Sequence, residues 1–282
     1  MKNKHFWSVL ACTMILVGFG VGLVSCILMG FDFSKLNISG EAKTNTHDIS
    51  ESFDSIYIDT SVADITFKAS TDDKVKVVCE EREKHFHEVK VESGTLKIVS
   101  KSDRKWYEWL APFNFNGKET VTIYLPKSMA EGKSWKLDGS PAFALKDLTI
   151  DTSTGDTTLE NLYVEGTLKV DSSTGHLTCT RVQAGSVVVD HSTGNVEMDQ
   201  VITDKLKIET STGDVKFTNG DSPDVKIDTS TGDIFCSFLS DKKVTADTST
   251  GDIKIPQVST GQGGTCRLDT STGDITVEYV TK

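Results

Sequence analysis

The six-residue stretch Asp-Thr-Ser-Thr-Gly-Asp, whole at residues 151–156, constrains this chain more than any other feature. It returns with its Ser-Thr-Gly core intact at Asp171–His176, Asp190–Asn195, Glu209–Asp214, Asp228–Asp233, Asp247–Asp252 and Asp269–Asp274. Successive starts lie 20, 19, 19, 19, 19 and 22 residues apart, the signature of one unit repeated and stacked. Aligned copies give columns. Leu148, Leu168, Val187, Leu206, Val225, Val244 and Cys266 stand three residues before each motif. Ile150, Val170, Val189, Ile208, Ile227, Ala246 and Leu268 stand one residue before it, with polar residues such as Lys169, Lys207, Lys226 and Arg267 between. Alternation of period two makes this a strand with one buried face. A second strand follows the glycine, with Leu177, Val196, Val215, Ile234, Ile253 and Ile275 directed inward, and Thr157 as the exception. Leu159, Cys179, Met198, Phe217, Cys236, Ile255 and Val277 repeat that direction two residues on. A third apolar column, Leu162, Val182, Val201, Leu239 and Val258, is broken by Gly220. Three apolar faces per repeat describe short parallel strands coiled around one interior, stacked at roughly 4.8 Å. The expected fold is therefore all-β: a parallel β-solenoid over 135–282, with Gly155, Gly175, Gly194, Gly213, Gly232, Gly251 and Gly273 as structural turn residues.

The remaining chain divides around that array. A formal charge of −11 argues against a nucleic-acid partner, because phosphate binding needs a basic face. Residues 6–31 are an uncharged apolar run, long enough for one membrane-spanning helix, with Lys2 and Lys4 before it and Asp32 after it. That asymmetry predicts a single-pass protein of the cell membrane, N-terminus cytoplasmic and C-terminal domain extracellular. A rival reading is Leu23-Val24-Ser25-Cys26 as a lipoprotein box, with a lipid on Cys26; ordinary signal cleavage is a third. The expected order is a cytoplasmic tip and signal-anchor helix (1–31), a stalk (32–50), an N-terminal β unit capping the array (51–134) and the repeats (135–282). Ile56, Ile58, Ile65 and Phe67 reproduce the repeat columns ahead of the array, and Ser93-Gly94 marks a hairpin turn between Val89/Val91 and Leu96/Ile98. Trp135, Leu137, Phe143 and Leu145 read as a shortened rung. The last copy runs into Val277 and Tyr279 with no polar cap, which leaves self-association through the C-terminal rung open to it.

Candidate chemistry is sparse. The acidic columns offer calcium candidates in Asp214, Asp228, Asp233, Asp247 and Asp252, since stacked carboxylates repel and a hard cation relieves that. The competing reading, preferred here, is that the leading Asp of each motif accepts backbone hydrogen bonds within its own turn, with basic residues of the preceding outward column as screens. No cofactor is expected. Cys79, Cys179, Cys236 and Cys266 fall at inward positions and read as core thiols; Cys12 and Cys26 lie in the apolar run. His85 and His87 share a strand face and form a metal pair in one reading; within Glu80–Glu88 they read better as a solvated face. Trp106, Tyr107, Trp109, Phe113 and Phe115 pack over the first rung or dock a partner. No nucleophile elbow, zincin motif or phosphate loop is present, and the unbroken repeat argues against a catalytic groove.

Taken together, Gly30–Leu36, the strand unit closed by Tyr124-Leu125-Pro126-Lys127 and the Asp-Thr-Ser-Thr-Gly-Asp repeats resemble a domain-of-unknown-function family of membrane-anchored β-strand repeat proteins labelled "putative adhesin". The resemblance spans nearly the whole chain, and Gly139-Ser140-Pro141 departs from its usual turn. It implies a single-pass surface protein of monoderm bacteria, in some cases tied to envelope-stress systems, and carries over no catalytic residue. The expected function is a non-catalytic envelope scaffold or adhesin. Its expected partner is cell-wall polymer or a membrane or surface protein. The alternatives are an accessory regulator of envelope-stress signalling and, last, a carbohydrate-active β-helix enzyme.

Overall fold

The computed structural model describes residues 13, 14, 18, 20, 24, 27, 42–71, 74–103, 118–126, 143–257 and 260–280. Its elements are β1 (Ala42–Ile49), β2 (Ser55–Val62), β3 (Asp64–Ala69), β4 (Val75–Arg82), β5 (His85–Glu92), β6 (Thr95–Ser102), β7 (Thr120–Leu125), β8 (Phe143–Leu145), β9 (Leu148–Thr154) and β10 (Thr157–Thr174). The repeats continue as β11 (Leu177–Thr193), β12 (Val196–Thr212), β13 (Val215–Gly220), β14 (Asp224–Thr231) and β15 (Ile234–Phe238). Then follow β16 (Lys243–Thr250), β17 (Ile253–Lys254), β18 (Thr265–Thr272) and β19 (Ile275–Tyr279). No helix among the described residues is long and apolar enough to cross a membrane. Most of 6–31, with Cys12 and Cys26, lies outside the described residues, as do Trp106 to Phe115 and Trp135 to Pro141. Residues 42–49 of the expected stalk are instead β1, paired antiparallel with β4 along its whole length.

The expectation of a parallel β-solenoid is corrected: the strands close into an eight-stranded barrel with further strands outside it. Pairing can be followed round a closed circuit. β2 pairs with β9 and β6, β6 with β5, β5 with β4, β4 with β7, β7 with β3, β3 with β10, and β10 with β9. The β4–β5, β5–β6 and β4–β7 pairs are antiparallel, so the sheet is mixed. The cause lies in the hairpin at Ser93-Gly94, whose φ of 52° and 78° fit the tight turn expected there. It returns the chain so that β6 meets β2, and the edge that a stack would leave open is paired. Periodicity reports which face of a strand is buried; it carries no information about which strand closes the sheet.

The buried columns agree with the sequence. Ile56, Ile58, Ile65, Phe67, Leu148, Ile150, Leu168, Val170, Val187, Val189, Leu206, Ile208, Val225 and Ile227 are all buried. The repeats pair in parallel, copy on copy, through β9–β10, β10–β11, β11–β12 and β12–β14. The unit at Ile56–Phe67 joins the first copy directly, Ile56 opposite Leu148 and Asp59 opposite Asp151. At Gly220 the register shifts: Phe238, not Leu239, is the buried residue there and stands opposite Gly220. A Cβ on Gly220 would come within 2.5 Å of the Phe217 ring, so the missing side chain makes room for that ring.

The far end departs from chain order. β14 pairs with β18, and β16 pairs with the other side of β18. Likewise β15 pairs with β19, and β19 with β17. The last copy is thus inserted between its two predecessors, and Val277 is buried. The open edge is the preceding copy, whose Ile253 and Ile255 are each 41% exposed, not the C-terminal rung.

Candidate functional site

Two groups of side chains carry chemistry beyond packing. The first is the outward face of the repeats. The leading carboxylates fall in register, Asp59, Asp151, Asp171, Asp190, Glu209, Asp228, Asp269 and Asp247 being successive partners. Basic residues two positions earlier screen four of them. Lys207 reaches Glu209 at 2.7 Å, Lys226 reaches Glu209 at 3.3 Å and also pairs with Asp228, and Lys169–Asp171 and Arg267–Asp269 stand at 3.9 Å. The Lys207 ammonium, with Lys226, holds the Glu209 carboxyl below the usual range. A shallow groove of about 320 Å³ runs across this face, lined by Asp190, Glu209, Asp228 and Asp269 with the intervening Thr and Ser residues.

The trailing residue of each motif does different work. The backbone N–H of Asp156 donates to Asp64 Oδ1 at 2.9 Å, and that of His176 to Asp156 Oδ1 at 2.9 Å. The chain of bonds continues through His176 Nδ1, Asn195 Oδ1, Asp214, Asp233 and Asp274 to the amide of Asp252, at 2.7–3.1 Å. It is therefore the trailing residue, not the leading Asp, that accepts, and the donor belongs to the adjacent copy. His176 fits only with an unprotonated Nδ1, because that atom accepts. Of the calcium candidates, Asp214, Asp233 and Asp252 lie on this column and Asp228 and Asp247 on the leading one. Asp269 separates Asp228 from Asp247. The five do not converge on one point. Each motif glycine has φ between 133° and 147°, and behind it lies the carbonyl of the motif glycine in an adjacent copy, or of Ala63 for Gly155.

The second group is inside the barrel. Among the described residues, the donors that converge are Cys79, Glu81 and His87, whose ligating atoms lie within 4.8 Å of one another. All three are buried. Glu81 Oε2 accepts from the His87 backbone N–H at 2.6 Å and pairs with His87 Nδ1 at 2.9 Å, while Asn45 Nδ2 donates to Oε1 at 2.5 Å. A carboxylate only accepts, so His87 Nδ1 carries the proton and Nε2 faces the Thr60 hydroxyl at 3.0 Å. Burial alone would raise the Glu81 carboxyl, but the hydrogen bonds from His87 and Asn45 hold it below its ordinary value. Burial, reinforced by the Glu81 charge, pushes the Cys79 thiol up to about 12. A second dyad stands beside this one: His85 Nδ1 meets Glu119 Oε2 at 2.7 Å, and the two imidazoles are 6.3 Å apart, edge to face. A cavity of about 280 Å³ lies beside Glu81 and Glu119, which stand in its wall with Lys43, Arg82 and Lys118.

The solvated reading of His85 and His87 is thus corrected; they are 8% and 2% exposed. The charged run Glu80–Glu88 hid them. The available signal was the alternation itself: Val77, Cys79 and Glu81 share one inward column, and an acid on an inward column needs a buried partner.

A family model described as Toastrack DUF4097 matches residues 53–282. The chain belongs to the Toastrack family. No curated protein matches it in sequence. Among solved structures, a "putative adhesin" from Bacteroides fragilis is 17% identical, covering 86% of this chain and 100% of its own, with a TM-score of 0.49. A "putative lipid binding protein" from Parabacteroides distasonis is 16% identical over 87% of this chain and 100% of its own, with a TM-score of 0.45. A "putative cell adhesion protein" from Clostridium sporogenes is 12% identical over 85% and 100%, with a TM-score of 0.41.

Proposed function

We propose that this Toastrack protein is a non-catalytic binding module of the cell envelope, held at the membrane through the apolar run 6–31, with its repeats outside the cell. The observation that carries this reading is the outward face. Carboxylates are held there in a row, one per repeat, at the strand spacing of roughly 4.8 Å, and Lys169, Lys207, Lys226 and Arg267 pair with Asp171, Glu209, Asp228 and Asp269. A surface of that kind is poorly suited to enclosing a small molecule, since its groove is shallow and polar. It suits a partner whose own charged groups recur, and a cell-wall polymer or an elongated surface protein meets that description. Exposed ion pairs of this sort contribute little to stability, about 0–1 kcal/mol each, so a row of them is free to exchange partners.

The test is crosslinking on intact cells, followed by purification of the full-length chain and identification of what accompanies it. Wall polymer or a surface protein, lost when Lys207 and Lys226 are both replaced by Glu, is the expected result. Recovery of a single membrane signalling protein, insensitive to that replacement, would overturn the reading in favour of a regulatory role.

A further inference from the structure

We propose that Cys79, Glu81 and His87 form a binding site for a divalent metal ion of the zinc class. This is independent of the envelope reading, since it concerns the interior of the barrel and not its outward face. The donor set is a thiol, a carboxylate and an imidazole. Such a mixture suits zinc, whereas calcium takes oxygen donors alone.

Geometry makes the site attainable. Zinc sits about 2.0–2.3 Å from its ligands, which places tetrahedral ligand atoms roughly 3.3–3.8 Å apart. The three donors already lie within 4.8 Å of one another, about 1 Å from that spacing. The strands fix their Cα positions. β4 carries Cys79 and Glu81 at alternate residues of one face, and Arg82 pairs with His85 at the turn into β5, which brings His87 back over Glu81.

Charge points the same way. The buried Glu81 carboxylate, held in place by His87 and Asn45, supplies a fixed negative charge for a cation. A divalent cation with one thiolate and one carboxylate is neutral overall. Binding replaces the proton on Cys79 Sγ by a metal–sulfur bond, and that proton leaves to solvent; His87 ligates through Nδ1 by the tautomer that carries its proton on Nε2, which then donates to the Thr60 hydroxyl. The ion enters by the cavity that Glu81 helps to line. Three protein ligands leave a fourth position, which water takes from the same side. The neighbouring His85–Glu119 pair lies beside that opening as a further polar wall. The consequence for the fold is a cross-link between β4 and β5 in the barrel circuit.

The test uses the full-length chain, stripped with a chelator and dialysed. Zinc is titrated in competition with a chromophoric chelator, and cobalt(II) is titrated with the absorption spectrum recorded. The expected result is one equivalent bound, with a sulfur-to-cobalt charge-transfer band. Cys79→Ser removes that band and weakens zinc by more than about 100-fold, beyond the usual effect of losing a supporting residue. Cys236→Ser, which alters a buried thiol elsewhere, keeps both. Because Cys79→Ser disturbs the core, His87→Gln is measured beside it, and both are checked for a cooperative melt without metal. Failure of the folded wild-type chain to bind at micromolar zinc overturns the proposal. So does a cobalt spectrum without the sulfur band, or zinc affinity unchanged in both variants.

Discussion

At the residue scale the fold depends on positions where one atom decides. Gly213 has φ of 144°, and a Cβ there would lie 2.0 Å from the Gly194 carbonyl oxygen. Gly213→Val therefore meets both backbone strain and a neighbour that cannot move, since that carbonyl belongs to the adjacent copy. The expected loss is about 3 kcal/mol, read as a fall in the denaturant midpoint with an unchanged slope. An unaltered midpoint would remove the turn assignment. The motif glycines were legible because a glycine at every return of a period is a backbone requirement. The hydrogen-bond role of the trailing residue was not, because Asp, Asn and His share only an acceptor atom, and the eye groups them by charge. Asp156 gives that role a pH dependence. Its carboxylate is held below the ordinary 3.8, chiefly by the N–H of His176, against burial and with help from Lys118. A carboxyl with a lower pKa folded than unfolded contributes stability that is complete above the unfolded value and lost as pH falls through the folded one. Asp156→Asn keeps the acceptor oxygen and cannot titrate. The stability gap between wild type and variant should therefore narrow as pH is lowered through the carboxylate range below 3.8. A gap that stays constant with pH in denaturant titrations would contradict the assignment.

At the scale of elements, the crossover that carries the last copy back between its predecessors is held by one buried cation. Lys242 has no exposed surface; its Nζ pairs with Asp221 and donates to Ser240 Oγ at 2.9 Å and to the Gly263 carbonyl at 2.6 Å. Its backbone N–H donates to Tyr279 Oη at 3.0 Å, and that hydroxyl donates to the Lys242 carbonyl at 3.1 Å. One residue thus ties together the strand before the open copy, the loop that leaves it and the final strand. Gly264, with φ of 111°, lets that loop lie against the Pro223 carbonyl, where a Cβ would come within 2.0 Å. Lys242→Met removes the charge but keeps most of the stem. It leaves the Asp221 carboxylate without its cation and the Gly263 carbonyl without this donor. Removing one partner of a fully buried pair costs about 3–5 kcal/mol; the Asp221 side chain is 28% exposed, so a loss of about 2 kcal/mol and a fall in melting temperature of roughly 4–8 °C are expected. A change within about 1 °C would mean that the crossover is held elsewhere. Nothing in the local sequence announced this. The partner that buries Lys242 lies 21 residues away at Asp221.

At the scale of the whole molecule, what the sequence made legible was local and what it hid was order. Period-two columns identify strands and their buried faces, because burial acts on each side chain separately. They do not say which copy lies beside which, since every copy presents the same columns and any two could pair in register. The same identity hid the barrel closure: β2 and β3 carry repeat-like columns, but only the hairpin strands β4 to β6 decide what covers them. The order of the copies is nevertheless measurable in the intact chain. Val244–Thr250 lies at the edge, with β16 paired on one side only, whereas Thr265–Thr272 is paired on both sides despite being the last repeat. Backbone amides with few buried contacts around them open locally at low free energy, and those between two paired strands open only with the larger unit. Native-state hydrogen exchange should then show Val244–Thr250 exchanging faster than Thr265–Thr272, and Val225–Thr231 as slow as the latter. If the copies instead stacked in chain order, the ranking would reverse and the C-terminal repeat would exchange first. The same experiment on Lys242→Met should speed exchange in Thr265–Thr272 toward that of the edge, because the loosened crossover no longer holds the inserted copy between its neighbours.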